Sequence, residues 1–236
     1  MSARPAIRGI LFDKDGTLLD YQASWAPINL RAGRLAAQGD PALEVHLLAL
    51  AGVDPSTGFS TSDGLLAAGN TREVAQAWHE AGSKFPVAEL TSRLDALFQA
   101  GVSDVVPVCD LDTLFAGLSG RGLALGIASS DSEAAVCATA ERFGIAGRLD
   151  FLCGYDSGHG AKPEPGMVEG FCRKTGLPAD AIAVIGDSAH DMRMAAAAGA
   201  GLRIAVLTGA GSAETLRPLS HLLLPSVAVL EQTLFA

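Results

Sequence analysis

Five short, β-rich apolar runs recur along this chain and limit its fold more than any single residue does. They are AIRGILF (6–12), LALGIA (123–128), DFLCGY (150–155), AIAVIG (181–186) and LRIAVLT (202–208). Each is followed by a turn signal, and helix-like stretches separate the last four. Strands alternating with helices imply parallel βαβ units in an open, Rossmann-like α/β sheet with helices on both faces. Such sheets hold ligands beyond the carboxyl ends of their strands, near a topological switch point.

The first interval breaks the rhythm. From about Tyr21 to about Ala100 the chain offers helical patterns and no convincing strand: APINLRAGRLAAQ, PALEVHLLALAG, TREVAQAWHEAG and VAELTSRLDALFQAG. That length exceeds any single crossover helix. The expectation is a small all-α domain over 21–100, inserted after the first strand of a core made from 1–20 and 101–236. Asn70 or Thr71 reads as an N-cap within it.

Bulk properties exclude several classes of function. The chain has 236 residues, 49% apolar and 18% charged, with a net charge of −9. That composition supports a substantial core and argues against global disorder. An acidic balance without any Lys or Arg run repels nucleic-acid phosphates. An anionic small molecule stays admissible, because local cations or a metal override the global field. No segment approaches the apolar length that spans a bilayer, and the N-terminal run is too short for a signal peptide. A soluble, cytoplasmic protein without nucleic-acid or membrane partners is expected; monomer and dimer are equally open. Cys109, Cys137, Cys153 and Cys172 form no CxxC pair and read as buried thiols of a reducing compartment.

Polar residues line up with the strand ends. Strand one ends in Asp13 and Asp15, strand two in Ser129 and Ser130. The loop after strand three reaches HGAKPEP with Lys162, and strand four ends in GDSAHD with Asp187 and Asp191. Clusters distant in sequence but on one edge of one parallel sheet converge in space. Carboxylates crowded together repel unless a cation neutralises them or one is protonated. Oxygen ligands without Cys or His favour Mg2+, which commonly shares its shell with a phosphate. A lysine and two hydroxyls beside it suit a phosphoryl group. In SSDSE, Ser130 and Glu133 form a candidate capping box whose helix would aim free N–H groups at an anion. One aspartate can attack phosphorus, and its neighbour two residues on can shuttle protons.

Four ordered motifs give the chain a resemblance to the haloacid dehalogenase superfamily: DKDGT, the Ser ending LALGIAS, the Lys of AKPEP, and GDSAHD. The resemblance implies Asp13 as nucleophile, Asp15 as general acid/base, and Ser129 and Lys162 as phosphate ligands. It implies Mg2+ held by Asp13, Asp187 and the backbone carbonyl of Asp15, with Asp191 a direct or water-mediated partner. The helical insertion looks like the cap of the phosphoglycolate phosphatase and β-phosphoglucomutase branch. A Mg2+-dependent phosphatase acting on a small phosphorylated metabolite, such as phosphoglycolate, follows as the leading expectation. Asp15 argues against dehalogenases and phosphonoacetaldehyde hydrolases, which lack an aspartate there. A sugar-phosphate mutase of the β-phosphoglucomutase type shares the core and would need a cap histidine–lysine pairing. A non-catalytic binding or regulatory protein would have no need of both aspartates.

Blander roles compete at particular positions. Ser188 and Asp191 themselves make an S-x-x-D capping box. His159 could face the cap and touch substrate. Arg72, His79 and Lys84 fit solvated helix faces as well as substrate contacts, and Trp25 and Trp78 read as packing residues.

Overall fold

The apolar runs are continuous rather than alternating because the sheet they build is covered on both faces. The computed structural model describes residues 6–61 and 64–235. Its centre is a wholly parallel sheet of six strands in the order β3-β2-β1-β4-β5-β6. These are β1 (Gly9–Phe12), β2 (Ala124–Ala128), β3 (Phe151–Cys153), β4 (Ile182–Gly186), β5 (Leu202–Val206) and β6 (Leu222–Leu224). Ile10 and Phe12 enter one apolar cluster with Leu125, Ile127, Ile185 and Ile204. Leu11 and Val184 point the other way, toward Met167, Phe171 and Met194.

The chain lays down β1, moves outward through β2 and β3, then crosses back to set β4 on the far side of β1. Register aligns the strand ends: Phe12 lies beside Ile127 on one side and Ile185 on the other. Residues just after each strand therefore meet at one rim, at the switch between β1 and β4. The sixth strand was not foreseen. Its run, Leu222–Leu224, is only three residues long and stops at Pro225.

Between β1 and β2 the chain forms α1 (Tyr21–Ala37), α2 (Pro41–Leu50), α3 (Leu65–Ala68), α4 (Thr71–Glu80) and α5 (Val87–Gly101). α1 begins five residues before the expected Ala26, because Asp20 caps it by accepting from the Ala23 N–H at 3.0 Å. Of the two N-cap candidates, Asn70 and not Thr71 caps α4, in a full capping box with Glu73. These helices bury their own apolar cluster, including Trp25, Ile28, Leu47, Trp78 and Leu94. The remaining helices flank the sheet: α6 (Leu111–Gly120), α7 (Glu133–Arg142), α8 (Gly166–Thr175), α9 (Ala189–Ala197), α10 (Ala213–Leu216) and α11 (Leu230–Phe235). Among the described residues no helix is long and apolar enough to cross a membrane.

Trp78 shows what holds the helical insertion together. It is fully buried, and its indole N–H donates to the Leu47 carbonyl at 2.8 Å. Trp78→Ala should cost about 3–5 kcal/mol, and Trp78→Phe less, in denaturant unfolding. A loss below about 1 kcal/mol for the alanine variant would contradict this packing.

Candidate active site

Asp13 follows directly on β1, and its N–H donates to the Ile185 carbonyl at 2.8 Å, so the strand pairing extends into the site. Asp187 follows β4 in the same way, and Ser129 follows β2, anchored by its N–H to the Cys153 carbonyl at 2.9 Å. Asp191 lies in the first turn of α9, capped by Ser188. Carboxylate oxygens of Asp13, Asp187 and Asp191 all lie within 4.8 Å of one another, and all three residues are buried. Lys162 reaches into this cluster from the loop after β3. Its ammonium sits 2.6 Å from Asp13 Oδ1 and 2.6 Å from Asp191 Oδ1.

Asp191 carries both readings of its position. One oxygen accepts from the Ser188 N–H and hydroxyl, closing the capping box, and the other meets Lys162. Asp187 accepts from the Ala210 N–H at 2.9 Å. Gly16 packs against the same carboxylate: a Cβ there would lie 2.5 Å from Asp187 Oδ2, and its φ of +85° already favours glycine.

Electrostatics reflect the crowding. Burial pushes the Asp13 carboxyl up to about 7; Asp191 and Asp15 add to the rise, and Lys162 opposes it. Burial, then Asp13 and Asp191, raises Asp187 well above the ordinary carboxylate range. Burial alone would lower Lys162, yet Asp13 and Asp191 together hold its ammonium above the usual value. Asp13 Oδ2 is buried without a hydrogen-bond partner. An orphaned oxygen within a close set of carboxylates fits a divalent cation, whose charge would relieve the repulsion.

Asp15 is held apart from this cluster. Its Oδ1 accepts from the Trp25 indole N–H at 2.7 Å, and its Oδ2 lies 2.5 Å from the Lys14 ammonium. Lys14 is almost wholly buried, 3.2 Å from Asp131 and over the Trp25 ring at 5.5 Å. Three residues of this arrangement escaped the sequence reading. Lys14 stands in the DKDGT motif without an assigned role, Asp131 lies within the candidate cap sequence SSDSE, and Trp25 reads as packing alone. A lysine at the end of a buried strand was the available signal, since a buried ammonium demands carboxylate partners.

Two expectations need correction. The helix after β2 is capped by Ser132, not Ser130, and starts at Glu133. Three N–H groups at its start are already taken: Ser132 by Asp131, Glu133 by Asp156 and Ala135 by Ser132. They do not form an open anion site; Ser130 instead lines the cavity beside Ser129. His159 packs elsewhere, its ring 5.5 Å from that of Phe151 and its Nδ1 3.4 Å from Arg173. It is not part of the cavity wall, because the loop turns it toward α8.

The cavity lies between the strand ends and the helical insertion. Its floor includes Asp13, Asp15, Ser129, Lys162 and Asp187; Tyr21, Trp25, Leu66, Thr71 and Phe98 line the opposite wall. Of the insertion's other candidates, Arg72 and Lys84 are exposed, and His79 meets the Phe85 carbonyl.

Fold and rim together define an α/β protein that keeps a close set of buried carboxylates at the switch point of its sheet. Residues 7–199 match the model of the haloacid dehalogenase-like hydrolases, and the chain belongs to that family. Phosphoglycolate phosphatase of Yersinia pseudotuberculosis serotype I (strain IP32953) is 30% identical over 199 residues, 82% of this chain and 78% of that protein. The crystal structure of CbbY from Rhodobacter sphaeroides, in complex with phosphate, has a TM-score of 0.71 at 22% identity, covering 95% of this chain and 96% of that one. A hydrolase from Pseudomonas syringae has 0.71 at 17% identity, covering 97% and 98%. The structural likenesses speak for the fold.

The raised carboxyls carry a stability signature. A group whose folded pKa stands above 3.8 binds its proton more tightly folded than unfolded, so metal-free protein loses stability as pH rises toward about 7. The melting temperature in EDTA should fall between about pH 4 and about pH 7, more steeply than for Asp13→Asn. Identical slopes for the two proteins would contradict the raised Asp13.

Proposed function

We propose that the protein is a Mg2+-dependent phosphatase of small phosphomonoesters, working through an aspartyl-phosphate on Asp13. The observation that carries this reading is the packing of Asp13, Asp187 and Asp191 within 4.8 Å, with Lys162 bridging two of them. Membership of the hydrolase family and likeness to a phosphoglycolate phosphatase support it.

A carboxylate oxygen of Asp13 forms a bond to phosphorus as the bond to the leaving oxygen breaks. Asp15 gives its proton to that departing oxygen. Water then attacks the phosphorus, yields a proton to Asp15, and the bond to Asp13 breaks to release phosphate. Lys162 and the hydroxyls of Ser129 and Ser130 face charge on the equatorial oxygens. Lys14 and Trp25 contact the two Asp15 oxygens and so position the carboxyl group that would shuttle the proton. Asp13 and Asp187 would hold Mg2+, with the Asp15 carbonyl and Asp191 completing its surroundings directly or through water. The bound ion supplies Lewis-acid stabilisation of the transferring phosphoryl group.

Residues 21–100 act, in this reading, as a cap over the core of 1–20 and 101–236. Among the described residues the cap contributes neither His nor Lys to the cavity wall, which favours hydrolysis over the mutase reaction. The presence of both Asp13 and Asp15 favours an enzyme over a binding protein, which has no need of both.

Release of p-nitrophenol from p-nitrophenyl phosphate should require Mg2+, stop with EDTA, and fall at least 1,000-fold (~4 kcal/mol) in Asp13→Asn. Full activity in that variant or in EDTA would overturn the mechanism.

A further inference from the structure

The two halves of the cavity differ sharply in charge. The floor gathers five carboxylates: Asp13, Asp15, Asp131, Asp187 and Asp191. Lys162 is the sole cation that lines it among the described residues, and it is committed to Asp13 and Asp191. Lys14, beneath, is committed to Asp15 and Asp131. A phosphoryl group and a metal ion account for this floor, and no positive charge remains over for a second anion.

The opposite wall is mostly apolar, with Asn70 and Thr71 its polar side chains, and among the described residues it carries no cation. Tyr21, Trp25, Leu66, Val74 and Phe98 make up most of it. Its aromatic donors are turned to the protein: the Tyr21 hydroxyl donates to the Leu66 carbonyl at 3.2 Å, and the Trp25 N–H to Asp15. Asn70 and Thr71 bring the N-terminus of α4 to the same wall, where the Glu73 carboxylate already belongs to its capping box. The Glu73 carboxylate accepts from the Asn70 N–H at 2.9 Å, and the Asn70 side chain takes the Glu73 N–H.

The basic residues of the helical insertion face elsewhere. Arg31 pairs with Asp104 at 3.4 Å, Arg34 with Glu44 at 3.4 Å, and Arg93 with Glu89 at 2.8 Å. Arg72 is exposed, and its charge acts on Asp95 and Tyr155. A carboxylate carried by the leaving group would lie between an apolar wall and a floor rich in acids. Burying a charge without a partner is costly, and such a site discriminates through that cost.

We propose that the leaving group is uncharged: the enzyme prefers phosphate esters of neutral alcohols to those of hydroxy acids. The proposal deepens and rests on the phosphatase reading. It separates this chain from the activity named for its Yersinia relative, since phosphoglycolate carries a carboxylate beside the scissile ester.

Two matched pairs test it: 2-hydroxyethyl phosphate against phosphoglycolate, and phenyl phosphate against 4-carboxyphenyl phosphate. With Mg2+ present, kcat/KM should favour the neutral member of each pair at least tenfold. Leu66→Arg, which adds a cation to the wall, should narrow that ratio at least threefold, whereas Leu66→Met should not. Equal or better turnover of the acidic members by the wild type overturns the proposal and leaves the phosphatase reading standing. So does a Leu66→Arg ratio no different from that of Leu66→Met. Absence of phosphate release from all four esters removes the phosphatase reading and the proposal together.

Discussion

One buried ammonium lets the acidic rim exist. Lys162 stands 2.6 Å from both Asp13 and Asp191, and without it three carboxylates would share a desolvated space unopposed. Removing one partner from such a buried set leaves uncompensated charge, at a cost of several kcal/mol. Pairing here is incomplete, since burial still pushes Asp13 up to about 7 and leaves Asp187 raised as well. The structure thus stores a local demand for more positive charge at the place where a divalent cation would serve catalysis.

Sheet geometry delivers these groups. Parallel pairing brings Phe12, Ile127 and Ile185 level, so the residues that follow emerge at one height. Apolar packing on both faces fixes the strands that carry them. A second ionic cluster sits beside the first, with Lys14 between Asp15 and Asp131. Each cluster holds one of the two aspartates of the DKD segment. Position, rather than residue type, separates the two: Asp13 lies with Asp187 and Asp191, and Asp15 reaches toward Trp25 of α1.

Much of this was legible in the sequence because the signals were local. Strand runs, each helical pattern of the long interval and the polar residue closing each strand are patterns within about a dozen residues. β6 escaped because Leu222–Leu224 is too short to stand out from a loop. The start of α1 escaped because Pro27 lies inside the helix, where proline ordinarily marks a boundary. Ser132 took the cap from Ser130 because the chain turns two residues later than the spacing implied. Lys14, Asp131 and Trp25 could not be joined from sequence at all: their contact is tertiary, and each has an ordinary explanation alone. His159 failed for the opposite reason. It lies near Lys162 in sequence, but the loop folds it against Phe151.

A cation shared by Asp13 and Asp187 is the centre of the proposed chemistry, and titration of Mg2+ into metal-free protein by calorimetry tests it most directly. One site per chain is expected, with affinity reduced more than tenfold in Asp187→Asn while circular dichroism shows the fold unchanged. Undiminished binding in that variant would mean that the carboxylates after β1 and β4 do not share an ion, and the proposed chemistry would lose its centre.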